Sequence, residues 1–179
     1  MAAITSHRPV LRILAAFSRY REAFDWNRRL VEQAWGPIAL HSDLFDHRET
    51  NYYESTMGAD LKKTFFAFQT LVDPADLPQW KTQTNEWESA YQRQSNHSEP
   101  RPLNLDPGYL TEAKLILAST KDRDHRIYLR DGIFAENTLV FTKGAWQNRP
   151  WTYPDYQRPD YHQFFLRCRD YLRQQYAQS

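Results

Sequence analysis

Apolar side chains fall in short, dense runs separated by polar stretches, and their spacing switches between strand-like and helical along the chain. Val10 to Phe17 is compact and apolar apart from Arg12, the pattern of a buried first strand. From Arg21 to Trp35 the apolar positions Phe24, Leu30, Val31, Ala34 and Trp35 form a helical stripe. Gly36-Pro37 closes it, because glycine supplies a left-handed cap and proline cannot extend the helix. Pro37 to Phe45 alternates in part and predicts a second strand. His47 to Met57 is polar, carries Tyr52-Tyr53 and has no period, so it predicts a long connection able to carry function. Leu61 to Val72, with Thr64-Phe65-Phe66-Ala67-Phe68, predicts a third strand, and Asp73-Pro74 a turn. Ala75 to Tyr91 sets Leu77, Trp80, Thr84, Trp87 and Tyr91 on one face of an amphipathic helix. After a polar loop from Ser95 to Pro102, Leu103 to Leu105 begins a fourth strand.

Strand, helix, strand, strand, helix, strand is the order of the split βαβ, ferredoxin-like unit. The expected fold is therefore α+β, a ferredoxin-like core with an added β-hairpin and a C-terminal helix, in a single domain over 1–179. In the second half, Thr111 is placed to cap a short helix through Leu117, with Glu112 in its first turn. Arg126 to Arg130 and Ile133 to Thr142 flank Asp131-Gly132, the pair a type I′ turn prefers, and predict a hairpin. Lys143-Gly144 turns the chain again, and Trp151 to Pro159 is an aromatic, proline-bearing loop. Asp160 to Gln175 predicts a terminal helix, with Tyr161, Phe164, Phe165, Cys168, Tyr171 and Leu172 at core spacing.

Composition narrows the classes. With 23 Lys and Arg against 22 Asp and Glu, the formal charge is +1, so no global field draws nucleic acid or an anionic membrane from a distance. The single cysteine, Cys168, rules out an intramolecular disulfide framework and a cysteine-based zinc cluster. The first apolar run is too short and too charged for a membrane span or a signal peptide, which points to a cytoplasmic protein with no membrane partner. Five glycines, at 36, 58, 108, 132 and 144, cannot compose a Walker loop or a G-x-G-x-x-G turn. His41, Asp43 and His47 do not have a defined metal spacing, and no metal is expected.

The candidate chemistry lies between Asn104 and Tyr156. Asp106 precedes Pro107-Gly108 at the expected end of the fourth strand, as an acid/base group or as a turn residue bonding the backbone. Tyr109 and Lys114 follow as ligand-binding candidates. Lys121 to Arg126 gathers five charges and an imidazole just before the hairpin. With a two-residue turn, Ile127 faces Glu136, which makes His125 and Glu136 diagonal neighbours on one sheet face and sends Arg126 to the other. Glu136 sits among apolar neighbours, where desolvation raises a carboxyl's pKa unless a cation pairs with it. The catalytic candidates are thus His125, Glu136 and Asp106, with Lys121, Arg126, Lys114, Tyr109, Tyr153 and Trp151 as ligand-binding candidates. A structural ion pair, and an aromatic loop that staples the terminal helix, are the equally weighted alternatives.

These segments resemble a bacterial family, domain of unknown function 4416. The resemblance runs from Gly36-Pro37 through Tyr52-Tyr53, Met57-Gly58, Asp106-Pro107-Gly108-Tyr109 and Lys114. It is densest in Leu117 to Asp122, His125 to Leu129, Gly132 to Glu136 and Trp151 to Tyr156. The family pattern places an acidic residue before Met-Gly, where this chain has Thr56. The GTP-binding label attached to some members finds no Walker loop here, and the resemblance brings no catalytic residue or cofactor with it.

Two functions compete. One is a small-ligand protein or enzyme acting on a nucleotide or another phosphorylated, anionic compound through the His/Glu/Lys cluster. The other is a non-catalytic RNA-binding or protein-interaction module presenting sheet aromatics and local basic residues. The near-zero charge and the lack of a legible RNP-type strand put the first ahead.

Overall fold

A computed structural model describes residue 3 and residues 5–49 and 53–178. Tyr52, named above with Tyr53, lies outside the described residues. The chain forms β1 (Leu11–Ser18), α1 (Arg21–Trp35), β2 (Ile38–His41), β3 (Phe45–Asp46), α2 (Glu54–Met57), β4 (Lys62–Phe68) and α3 (Leu77–Gln94). It continues through β5 (Asn104–Leu110), β6 (Lys114–Ser119), β7 (Arg126–Arg130), β8 (Ile133–Thr142), β9 (Ala145–Asn148) and α4 (Pro159–Gln178). The architecture is mixed helix and antiparallel sheet, with strand order β2-β4-β1-β5-β6-β8-β7, β3 beside β4 and β9 beside β8. Among the described residues no helix is long and apolar enough to cross a membrane.

β1 is buried along its whole length because it lies between β4 and β5 with a layer on each face. Ile13 and Ala15 pack with Phe65, Tyr161, Phe165 and Leu172 under α4, while Leu14 and Ala16 pack with Ala23, Val31 and Tyr91 from α1 and α3. Strand alternation thus sorts one continuous apolar run into two cores.

Four details differ from the sequence expectation, and each bears on the site. Asp106 is neither at a strand end nor in a turn, since β5 runs on through Pro107 and Gly108. Gly108 is required by proximity: a Cβ there would meet the Ile116 carbonyl oxygen at 2.2 Å. Thr111 caps no helix, and Leu115 to Ala118 form a strand buried on both faces. Its hydroxyl instead accepts the N–H groups of Ala113 and Lys114, so the chemistry of a cap closes the β5–β6 turn. The expected second strand divides into β2 and β3 around Ser42, whose hydroxyl accepts the Phe65 N–H.

The fourth difference is in the hairpin. Asp131 and Gly132 both have positive φ, as a type I′ turn needs, and Arg130 pairs with Ile133. A bulge at Leu129 then shifts the register by one, so Arg126 pairs with Glu136 in place of Ile127. The extra residue turns Arg126 onto the face where Glu136 sits, correcting the expectation that its side chain points away.

Candidate functional site

β6 pairs with β5 only from Gly108 onward, so the sheet opens beside Asn104 to Pro107. Leu105 and Pro107 share one backbone orientation, and proline has no N–H to leave unpaired there. The Leu105 groups that β6 does not reach are taken by α3: its N–H donates to Glu88 Oε1 at 2.7 Å, and its carbonyl accepts from Lys81 Nζ at 2.9 Å. Lys81 also reaches through the opening to Asp106 Oδ1, 3.1 Å away. A cavity of about 640 Å³ forms at this split, within the size range of small-ligand sites.

Seven of the nine sequence candidates line that cavity: Asp106, Lys121, His125, Arg126, Glu136, Trp151 and Tyr153. Tyr109 and Lys114 do not. Tyr109 packs beside Ile116 and Trp80 in the α3 layer, and Lys114 begins β6 opposite Val140, beyond the closed part of the sheet.

At the hairpin end, Glu136 is buried and fully engaged. Oε2 accepts from Arg126 Nε at 2.8 Å and lies 3.2 Å from His125 Nε2, while Oε1 accepts from Thr138 at 3.2 Å. His125 also contacts Asp124 Oδ1 through Nδ1 at 3.0 Å, and its ring stacks on Trp151 with centroids 5.1 Å apart. The hydrogen bond from His125 holds the Asp124 carboxyl below its usual range. Arg126 extends further, to the Lys121 carbonyl and the Tyr153 hydroxyl. Burial first, and then the nearby Glu136 charge, push the Tyr153 phenol up to about 12.

A second bulge fixes the loop above this end. Opposite Leu115 and Ile116, β8 carries the extra residue Thr138. The Asn137 carbonyl accepts from the Trp151 indole at 2.9 Å, and the Thr138 carbonyl accepts from the Thr152 hydroxyl at 2.6 Å. Backbone groups freed from the ladder therefore tie down the aromatic loop.

The other end lies where β4, β1 and β5 run side by side. Lys63, Phe17 and Asn104 share one row of the sheet, and Ala15 pairs with Asp106 in the next row on that face. Lys63 is buried, donates to Asp155 Oδ2 at 2.7 Å and rests over the Tyr156 and Phe17 rings. Asp106 accepts from Asn104 as well as Lys81. Desolvation pushes the Asp106 carboxyl up, but Lys81, Lys63 and Arg101 outweigh it and hold the group below its ordinary value. Its side chain is 29% exposed, and that surface lies in the cavity it lines. Glu88 moves the other way, raised mainly by burial.

Also at this end, His47 Nδ1 is 3.6 Å from Asp155 Oδ2 and 3.7 Å from Glu49 Oε2, and its ring lies against Phe17. Burial and the Lys63 charge lower its pKa, so the imidazole is neutral at pH 7. No group of three or more His, Cys, Asp or Glu among the described residues is placed to hold a metal ion.

Across most of the chain a family model matches: residues 8–171 fit the one described as Domain of unknown function (DUF4416). The chain belongs to that family. No curated protein and no solved structure matches it.

Within this DUF4416 chain, sequence reading did not select Lys63, Lys81, Glu88, Arg101, His47 or Asp155 for the site. Lys81 and Glu88 occur in a helix with an ordinary polar face, and Lys63 in a strand that begins Lys62-Lys63-Thr64 before its apolar run. A lysine inside a buried strand run was the one available signal, since such a charge needs a partner. In the sequence His47 has only an undefined metal spacing with His41 and Asp43; in the structure it lines the cavity.

Proposed function

We propose that the cavity binds a small phosphorylated compound, with Lys121, Arg123 and Arg126 receiving the phosphate near the hairpin. The observation that carries this reading is the charge of the lining. Among the described residues six Lys and Arg side chains line the cavity against five Asp and Glu, and Glu49 is bound at 2.8 Å by Arg158 from outside the lining. The remaining surplus is two positive charges, which matches a phosphate monoester at about −1.5 to −2. His125 and Glu136 then position Arg126 and the rim.

The elements from β1 to β5 carry a finer fold reading. The order β2-β4-β1-β5, antiparallel throughout, with α1 and α3 as crossovers, supports a ferredoxin-like core in one domain. RNA readers of that class use the sheet face opposite the helices, and here α4 packs on that face. The small-ligand reading is preferred for this reason.

Thermal shift with inorganic phosphate, sugar phosphates and nucleoside monophosphates tests the proposal. A saturating phosphorylated compound should raise Tm by mass action, and Lys121→Ala with Arg123→Ala should weaken the response. A flat response across the panel, together with retarded RNA in a gel, overturns it in favour of an RNA-binding module.

A further inference from the structure

The two histidines of the cavity differ in what they have left to offer. Both nitrogens of His125 already face carboxylates, at 3.0 and 3.2 Å, and its ring is stacked. His47 is the reverse. Its side chain is 3% exposed, and neither ring nitrogen has a hydrogen-bond partner among the described residues. A buried polar group without a partner costs stability, so its presence in a cavity wall calls for a ligand that supplies one.

The surroundings define what that partner is. Asp155 and Glu49 both lie nearest Nδ1, which favours the tautomer protonated there and leaves Nε2 as an acceptor. Lys63 donates to Asp155 at 2.7 Å and makes no hydrogen bond to His47. The Phe17 and Tyr53 rings lie tilted against the His47 ring, with centroids 5.4 and 6.1 Å away, and offer its nitrogens no partner. A neutral acceptor in such a place selects a neutral donor, and a hydroxyl is the smallest that fits a phosphorylated metabolite.

We propose that His47 reads a hydroxyl on the non-phosphate end of the ligand, accepting its hydrogen bond at Nε2, so that the ligand class is a phosphorylated sugar or a nucleotide with its ribose. This rests on the phosphate reading of the cavity. The phosphate occupies the hairpin end, and the hydroxylated end reaches the pair of buried ions Lys63 and Asp155. Lowering pH protonates His47, removes the acceptor and places a cation beside Lys63, with Arg158 also near and only Asp155 and Glu49 to offset it.

Calorimetric titration of the full chain with inorganic phosphate, ribose 5-phosphate, glucose 6-phosphate and adenosine monophosphate separates the two claims. At least one hydroxylated ester should bind about tenfold or more tighter than inorganic phosphate. His47→Ala should erase that advantage and leave inorganic phosphate binding unchanged, and His47→Gln, which keeps an acceptor, should restore part of it. If inorganic phosphate binds and the esters gain nothing, or if His47→Ala keeps their advantage, the hydroxyl reading is wrong while the phosphate site stands. If none of the four binds, both readings fall. Should the variants not fold, imidazole nitrogen NMR of the unaltered protein decides: a bound ester should shift the His47 Nε2 resonance, and an unmoved resonance overturns the proposal.

Discussion

The two ends of the cavity are built from similar residues and finished differently. At the hairpin end every polar atom of Glu136 and both nitrogens of His125 are occupied by the protein itself. At the sheet end the ion pairs are as close, yet neither ring nitrogen of His47 has a hydrogen-bond partner among the described residues. A saturated network fixes geometry, so His125 and Glu136 hold the hairpin end in place for the cations around them, whereas an unsaturated group such as His47 keeps a hydrogen bond of its own to give. The residues that look most chemical in the sequence are thus the better satisfied ones.

Substitutions can break this contrast. Lys63→Met should be the most damaging, at about 4 kcal/mol in urea unfolding, because it leaves the Asp155 carboxylate buried without its cation. Combining it with Asp155→Leu should recover most of that loss, since the pair is replaced and not split. Gly108→Ala should cost about 3 kcal/mol by forcing apart the backbones that meet where the sheet closes, disturbing both ends together. Arg126→Leu should cost less, about 2 kcal/mol, since Thr138 and His125 still bond Glu136. If Arg126→Leu proves as damaging as Lys63→Met, the two ends are energetically alike and the contrast fails.

Acid sharpens the comparison further. His47 has a lowered pKa in the folded protein, so from above 6.5 downward the unfolded chain takes up its proton first. Its neutral form contributes nothing adverse at high pH, and stability falls as pH drops below 6.5 until the folded pKa is passed. Thermal melts of the unaltered protein should show this loss, and His47→Gln should reduce it. Smallest of all, Arg123→Ala on the rim should change stability by less than about 0.5 kcal/mol while still weakening phosphate binding.

Sequence patterns made the fold legible wherever a side-chain period was strong. β1, α1, α3, the Asp131-Gly132 turn and α4 all lie close to their expected places. β6 was missed because Leu115 to Ala118 is buried on both faces and so has no alternation, and because Thr111 serves a turn as readily as a helix. At the site, His125 and Glu136 could be paired through a hairpin, whose geometry is local. The bulge at Leu129 could not be foreseen, and it decides where Arg126 points. Lys63 meets Asp155, and Lys81 meets Asp106, only through long-range packing, for which a single sequence has no short-range sign.

Strands ordinarily insulate the two faces of a sheet from each other. Where β6 departs from β5, that insulation ends, and Lys81 from the helix layer touches a carboxylate that belongs to the opposite side. The two layers therefore share one electrostatic compartment. A charge gained or lost on the inner surface of α3 alters the field in the cavity without altering any residue of the strands that form its wall.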